Sequence, residues 1–332
     1  MSRVVVVTGA SAGIGRAVAR SFARRGDAVA LIARESGRLD DACLELEALG
    51  AQALALPADV ADADAVEDAA ERTEAALGPI DVWVNNAMVT MLAPVERVTP
   101  AEFRRVTEVT YLGSVWGTMA ALRRMRPRDR GVVVQVGSTL AYRGIPLQAA
   151  YCGAKHALQG FYESLRTELM HDGSAVRVTM VHMPAVNTPQ FEWMRTRMER
   201  RPRPIAPVYT PELAADAVVA AAEAPRADVV IGWPSLLAPA ANAIVPGVVD
   251  RYLAATGYDA QQDGDELEPE RPDNLFEPVP LDVRAEGRFG EEAHRHAIRL
   301  PAAVARGVLG ATAMAALAGL AAAASRANRK PG

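Results

Sequence analysis

The sequence predicts an α/β fold, a parallel sheet covered on both faces by helices, and three observations carry that expectation. Seven short apolar runs alternate with helix-length stretches over the first two thirds of the chain, the pattern of repeated βαβ units. The runs are nearly unbroken in apolar character; a half-exposed strand would alternate, so each strand is expected to be buried on both sides. The first run leads directly into a glycine-rich turn that opens a helix.

The expected strands are RVVVVT from Arg3, AVALIA from Ala28, AQALALP from Ala51, IDVWVNN from Ile80, GVVVQVG from Gly131, VRVTMVHM from Val176 and DVVIGW from Asp228. Helices are expected at roughly 14–25, 36–49, 62–77, 100–125, 151–172 and 210–224. Two of them begin with the same punctuation. TPAEF at Thr99 and TPELA at Thr210 each offer a threonine N-cap, a proline at the first helical position and a glutamate near the positive helix end.

The bulk properties narrow the function. With 332 residues, 50% hydrophobic and 23% charged, the chain is an ordinary globular one with room for one large or two modest domains. A net charge of -4 argues against a general nucleic-acid binder. Cys43 and Cys152 form neither a zinc pattern nor a disulfide framework; they read as packing residues in a reducing cytoplasm. The N-terminal apolar run is too short for a signal-peptide core and reads as a first strand.

Two local constellations carry chemistry. In TGASAGIG, Thr8 to Gly15, glycines let the backbone approach a pyrophosphate while the helix N-terminus offers unpaired amides; alone, such a triplet equally fits a merely tight turn. In AAYCGAKHA, Tyr151 and Lys155 lie four apart and share one helix face. A phenol with a pKa near 10 is a poor base. An ammonium about 4 Å away is worth roughly 4 kcal/mol at an effective dielectric of about 20, or about three pKa units; burial opposes that gain.

Together these motifs resemble a classical short-chain dehydrogenase/reductase. The resemblance rests on T-G-x-x-x-G-x-G at Thr8, ADV at Ala58, NNA at Asn85, Ser138, and Y-x-x-x-K at Tyr151, and spans roughly residues 1–245. It implies a Rossmann-type sheet of seven strands in the order 3-2-1-4-5-6-7. It also implies hydride transfer between a nicotinamide and a carbonyl or secondary-alcohol carbon, with Tyr151 as general acid/base, Ser138 polarising the substrate oxygen and Lys155 holding the nicotinamide ribose. The same resemblance assigns Gly9, Ser11, Gly13, Ile14 and Gly15 to the pyrophosphate turn, Asp59 and Val60 to the adenine, Asn86 and Ala87 to the cofactor's flank, and Pro184 and Thr188 to the nicotinamide side. Homodimers or tetramers through the helices containing Thr110 and Tyr151 are a further implication. The chain departs from the family pattern at Met88 and Ala185, where glycines are usual, and at Thr110, where an asparagine normally anchors a water behind the lysine. Thr110 retains a hydroxyl that could serve the same relay.

The end of the second strand, LIARES, bears on cofactor choice. An NAD site places a carboxylate there for the ribose 2′-hydroxyl; here Ala33 takes that position and Arg34 follows. A guanidinium fork matches a phosphate, so NADP(H) is favoured over NAD. After Pro184 the segment of about 188–210, with Phe191, Trp193, Met194 and Met198, reads as a substrate lid suited to an apolar ligand, its arginines meeting an acidic substituent or solvent.

The catalytic unit is expected to cover 1–250. Residues 251–300 form a polar, proline-rich extension, irregular or wrapped over the core, in which His294 and His296 read as surface residues and no metal site is expected. An alanine-rich helix at 301–326 contains the uncharged run Gly307–Ala324, with nine alanines and three glycines. A membrane anchor or surface helix, a helix packed on the enzyme, and disorder all remain open for it. The resulting expectation is a cytoplasmic NADP(H)-dependent oxidoreductase for a small apolar carbonyl or alcohol. An NAD-linked alcohol dehydrogenase and a weakly catalytic, membrane-associated nucleotide-binding scaffold are the alternatives.

Overall fold

In a computed structural model, residues 2–268, 271–279 and 284–301 are described. The expected strands form at β1 (Val4–Thr8), β2 (Ala28–Ala33), β3 (Ala53–Pro57), β4 (Ile80–Asn85), β5 (Val132–Ser138), β6 (Arg177–Met183) and β7 (Asp228–Ile231). They pair in parallel in the order 3-2-1-4-5-6-7. The apolar runs are unbroken because helices cover both faces. Val5 and Val7 face one buried cluster with α1 (Gly13–Ala23), α2 (Ser36–Ala48) and, later in the chain, residues of Pro211–Glu223. Val4 and Val6 face the other, built with α3 (Ala63–Leu77), α4 (Pro100–Thr107), α5 (Gly113–Met125) and α6 (Ala149–His171).

Several boundaries have visible causes. Thr99 and Glu102 close a reciprocal capping box at α4, and Thr210 caps α8 (Pro211–Glu223), which follows the short α7 (Gln190–Trp193). The helix expected over 100–125 is interrupted by a π-helical turn at Glu108–Leu112.

Three features differ from expectation. The sheet has an eighth strand, β8 (Arg299–Pro301), antiparallel to β7; three residues at the end of a polar stretch carry no periodic signal. DVVIGW stops at Ile231 because Gly232 turns with φ +72°. Two further helices then follow, α9 (Gly232–Ile244) and α10 (Pro246–Thr256). Pro239 lies inside α9, and Pro246 opens α10, a position in the first turn where proline is well tolerated. The boundary expected near 250 falls within α10.

The extension wraps back over the core. Gln262–Glu266 pairs with Arg200–Pro202, and Ala293–His294 joins Val208–Tyr209 and Ala185–Val186 in a small parallel sheet. His294 is exposed beside Tyr209. Among the described residues no cluster of histidine, cysteine and carboxylate groups could hold a metal, and no helix is long and apolar enough to cross a membrane. The run Gly307–Ala324 lies outside the described residues. Cys43 and Cys152 are buried free thiols.

Candidate active site

The C-terminal ends of β1, β2, β4, β5 and β6 open onto one cavity of about 430 Å³, the crevice position favoured by doubly wound sheets. The turn after β1 forms one rim. Gly9 has φ +66°, and a Cβ there would sit 2.8 Å from Ala87 Cα; a Cβ on Gly15 would collide with the carbonyl of Gly9. No side chain caps α1, and its first residues, Gly13 and Ile14, line the cavity. Thr8 fastens this turn to the next loop: its hydroxyl accepts hydrogen bonds from the amides of Asn86 (2.9 Å) and Ala87 (3.0 Å), and Asn86 Nδ2 donates to the Thr8 carbonyl at 2.9 Å.

Ser138, Tyr151 and Lys155 converge on the same cavity. Ser138 ends β5, and its Oγ accepts from the Leu140 amide at 3.1 Å. Lys155 Nζ is buried, donates to the Val136 carbonyl at 2.7 Å and lies 5.7 Å from the Tyr151 ring centroid. Burial pushes the Tyr151 phenol up, and a hydrogen bond with Ser138 offsets part of that rise. Burial also holds the Lys155 ammonium down at about 8. Desolvation therefore outweighs the activation expected from the nearby ammonium. A compositional signal strengthens Lys155: the chain has only one other lysine, Lys330, among its 36 lysines and arginines. Lysine is not this chain's usual cation, and a buried ammonium gives up its proton far more readily than a guanidinium.

The remaining expected residues fall into two groups. Ser11, Gly13, Ile14, Val60, Pro184 and Thr188 line the cavity. Arg34 and Asp59 also line it but are engaged elsewhere: Arg34 donates to the carbonyls of Asn274 (2.6 Å) and Phe276 (2.8 Å), and Asp59 accepts from Arg105. Burial and the neighbouring Arg105 lower the Arg34 pKa.

Thr110, the residue of the relay expectation, is held by the loop after β4. It is fully buried on the π-helical turn, where its hydroxyl donates to the Val89 carbonyl at 2.8 Å and accepts from the Val89 amide at 3.1 Å. Those bonds anchor the loop bearing Met88 and Val89, both cavity-lining residues.

The segment after β6 also divides. Phe191 and Trp193 line the cavity, whereas Met194 and Met198 pack with Leu92 and Leu147. Arg195 and Arg197 do not await a ligand; both pair with Glu102. Burial would raise the Glu102 carboxyl, but the Thr99 amide, Arg197 and Arg195 outweigh it and hold it at about 2. Sequence reasoning missed Asn274, Pro278 and Val279, cavity residues contributed by the extension.

A family model described as short chain dehydrogenase matches residues 3–199. This chain is a short-chain dehydrogenase/reductase. An uncharacterized oxidoreductase of Bacillus subtilis is 34% identical over 281 residues, covering 84% of this chain and 77% of its own. One from Mycobacterium tuberculosis is 31% identical over 284 residues, covering 80% of each. An alcohol dehydrogenase from the archaeon Thermococcus sibiricus, solved with 5-hydroxy-NADP, superposes with a TM-score of 0.61 at 27% identity, over 69% of this chain and 96% of its own. As a short-chain dehydrogenase/reductase the protein is an oxidoreductase with a nicotinamide-nucleotide-binding Rossmann fold.

Proposed function

We propose that this enzyme is an NADP(H)-dependent oxidoreductase interconverting a small apolar ketone and its secondary alcohol. The carrying observation is the convergence of Ser138, Tyr151 and Lys155 on a cavity whose opposite rim is the glycine turn. The dinucleotide fits what is present: Gly9 and Gly15 let the turn pack tightly against Asn86 and Ala87 where a Cβ would clash, the α1 N-terminus favours phosphate, and Ala33 stands where an NAD site would carry an acid, with Arg34 beside it. The solved relative bound to 5-hydroxy-NADP agrees with that choice.

A bound nicotinamide supplies or accepts the hydride. The chain's own residues handle the proton and the geometry. Tyr151 donates its phenolic proton to the substrate oxygen in reduction and accepts it back in oxidation. Ser138 orients the same oxygen by hydrogen bonding. Lys155, positively charged below about pH 8, stabilises phenolate as it forms. Phe191 and Ile205 add apolar side chains to the cavity lining, which favours a hydrocarbon-rich substrate. Assembly into homo-oligomers through α5 and α6 belongs to the same proposal.

NAD is the second reading, favoured by the engagement of Arg34 with two backbone carbonyls. Equilibrium binding of NADPH and NADH to wild type and Arg34→Asp separates the two. Wild type is expected to prefer NADPH by roughly tenfold to a hundredfold, the worth of one or two charge-assisted bonds, and Arg34→Asp to reverse the order. Equal affinities in wild type would reduce Arg34 to a fastening for the extension.

A further inference from the structure

The extension meets both rims of the cleft. On one rim, Arg34 holds the carbonyls of Asn274 and Phe276, Arg105 Nε donates to the Leu275 carbonyl at 3.0 Å, and the Leu275 side chain is fully buried in the cluster containing Val60 and Val106. On the other, the Asn274 amide donates to the Trp193 carbonyl at 3.0 Å. Val279 packs with Trp193 and with Ala12 of the glycine turn. Further along, the Phe289 amide donates to Asn187 Oδ1 at 2.9 Å. Gly287 lies so close to Thr188 that a Cβ would stand 2.5 Å from its carbonyl oxygen.

One contact conflicts with the cleft's function. The Gly13 amide, the first of α1, donates to the Arg284 carbonyl at 3.1 Å. A phosphate at this helix N-terminus needs the same unpaired amides, and one N–H cannot fully serve a carbonyl and a phosphate oxygen together. Arg34 is committed in the same way, to carbonyls where a 2′-phosphate would need its donors.

We propose that residues 271–279 and 284–289 form a movable wall of the dinucleotide site, whose carbonyl groups engage the donors that cofactor phosphates would use. Entry of the nucleotide requires the wall to open. The Arg284 carbonyl then leaves Gly13, and Arg34 exchanges backbone partners for the nucleotide. This inference rests on the cofactor reading above.

The test is stopped-flow binding of NADPH to the full chain, followed by nucleotide fluorescence. The observed rate should rise with concentration and then level off at the opening rate of the wall. Gly287→Ala, which forces a methyl against Thr188, should raise that plateau roughly tenfold or more, the usual effect of an overpacked contact. A rate strictly linear in concentration, with the same slope in both proteins, would overturn the proposal. Hydrogen exchange on wild type needs no variant: amides of 271–279 and 284–289 should change protection on NADPH saturation while those of α3 and α8, which do not line the cavity, do not. Unchanged exchange in the wall would also overturn it. Absence of any equilibrium binding of NADPH or NADH would instead sink the cofactor reading and carry this inference with it, so the two failures are distinguishable.

Discussion

The two sides of the cofactor cleft are built by different means. The sheet side is a cradle of local design: β1, its glycine turn and α1 are consecutive in sequence, and Thr8 ties that turn to the loop after β4 through its hydroxyl. The extension side is assembled from distance. Asn274 reaches Arg34 across 240 residues of chain, and several of the extension's bonds run from side chains to backbone carbonyls. A cradle made of short-range contacts is specified by residue type and spacing. A wall made of long-range contacts depends on the whole fold being present, and it can be released without unfolding what lies beneath.

Removing the wall's anchor should sharpen that contrast most. Leu275→Ala empties a fully buried site and should cost about 2–4 kcal/mol. If the wall opens as a unit, global denaturation will register less than that, while hydrogen exchange within 271–279 accelerates by the full amount. A loss spread evenly over all elements would make the wall part of the core.

The cradle side has a pH signature. In the cofactor-free protein the Lys155 pKa is about 8, below the unfolded value near 10.4. Between those values the unfolded chain holds a proton that the folded chain has shed, so this residue's contribution to stability rises with pH through the window. Wild type should therefore gain roughly 2–3 kcal/mol on Lys155→Met between about pH 8 and 10, measured by urea unfolding. A difference that is flat or falls with pH would contradict the desolvated ammonium.

Thr110→Val should give the smallest effect. It leaves the buried amide and carbonyl of Val89 without their present partner, at about 1–2 kcal/mol, and should leave the pH profile of turnover in place. A displaced profile would restore the proton-relay role.

How much was legible follows from the same contrast. Every parallel strand of the main sheet could be read from apolar runs, because burial on both faces leaves a run unbroken. The glycine turn and the Tyr151 and Lys155 pair could be read because the steric and stacking requirements act over a few residues. Arg34 was found, but not its partners: a backbone carbonyl far along the chain leaves no side-chain trace. Arg195 and Arg197 were open to a ligand reading for the same reason, since Glu102 lies in another helix. The helices α9 and α10 were masked by their prolines, and β8 is too short to show a period.

The central claim is that Tyr151 moves the proton in a hydride-transfer reaction. Oxidation of NADPH over a panel of apolar ketones, by wild type and Tyr151→Phe, tests it most directly, with nucleotide affinity measured alongside. Wild type should turn over at least one ketone, and Tyr151→Phe should bind NADPH as wild type does while losing roughly a hundredfold to ten-thousandfold in rate. Turnover by Tyr151→Phe at the wild-type rate, or tight NADPH binding by wild type with no turnover on any ketone, would contradict the account.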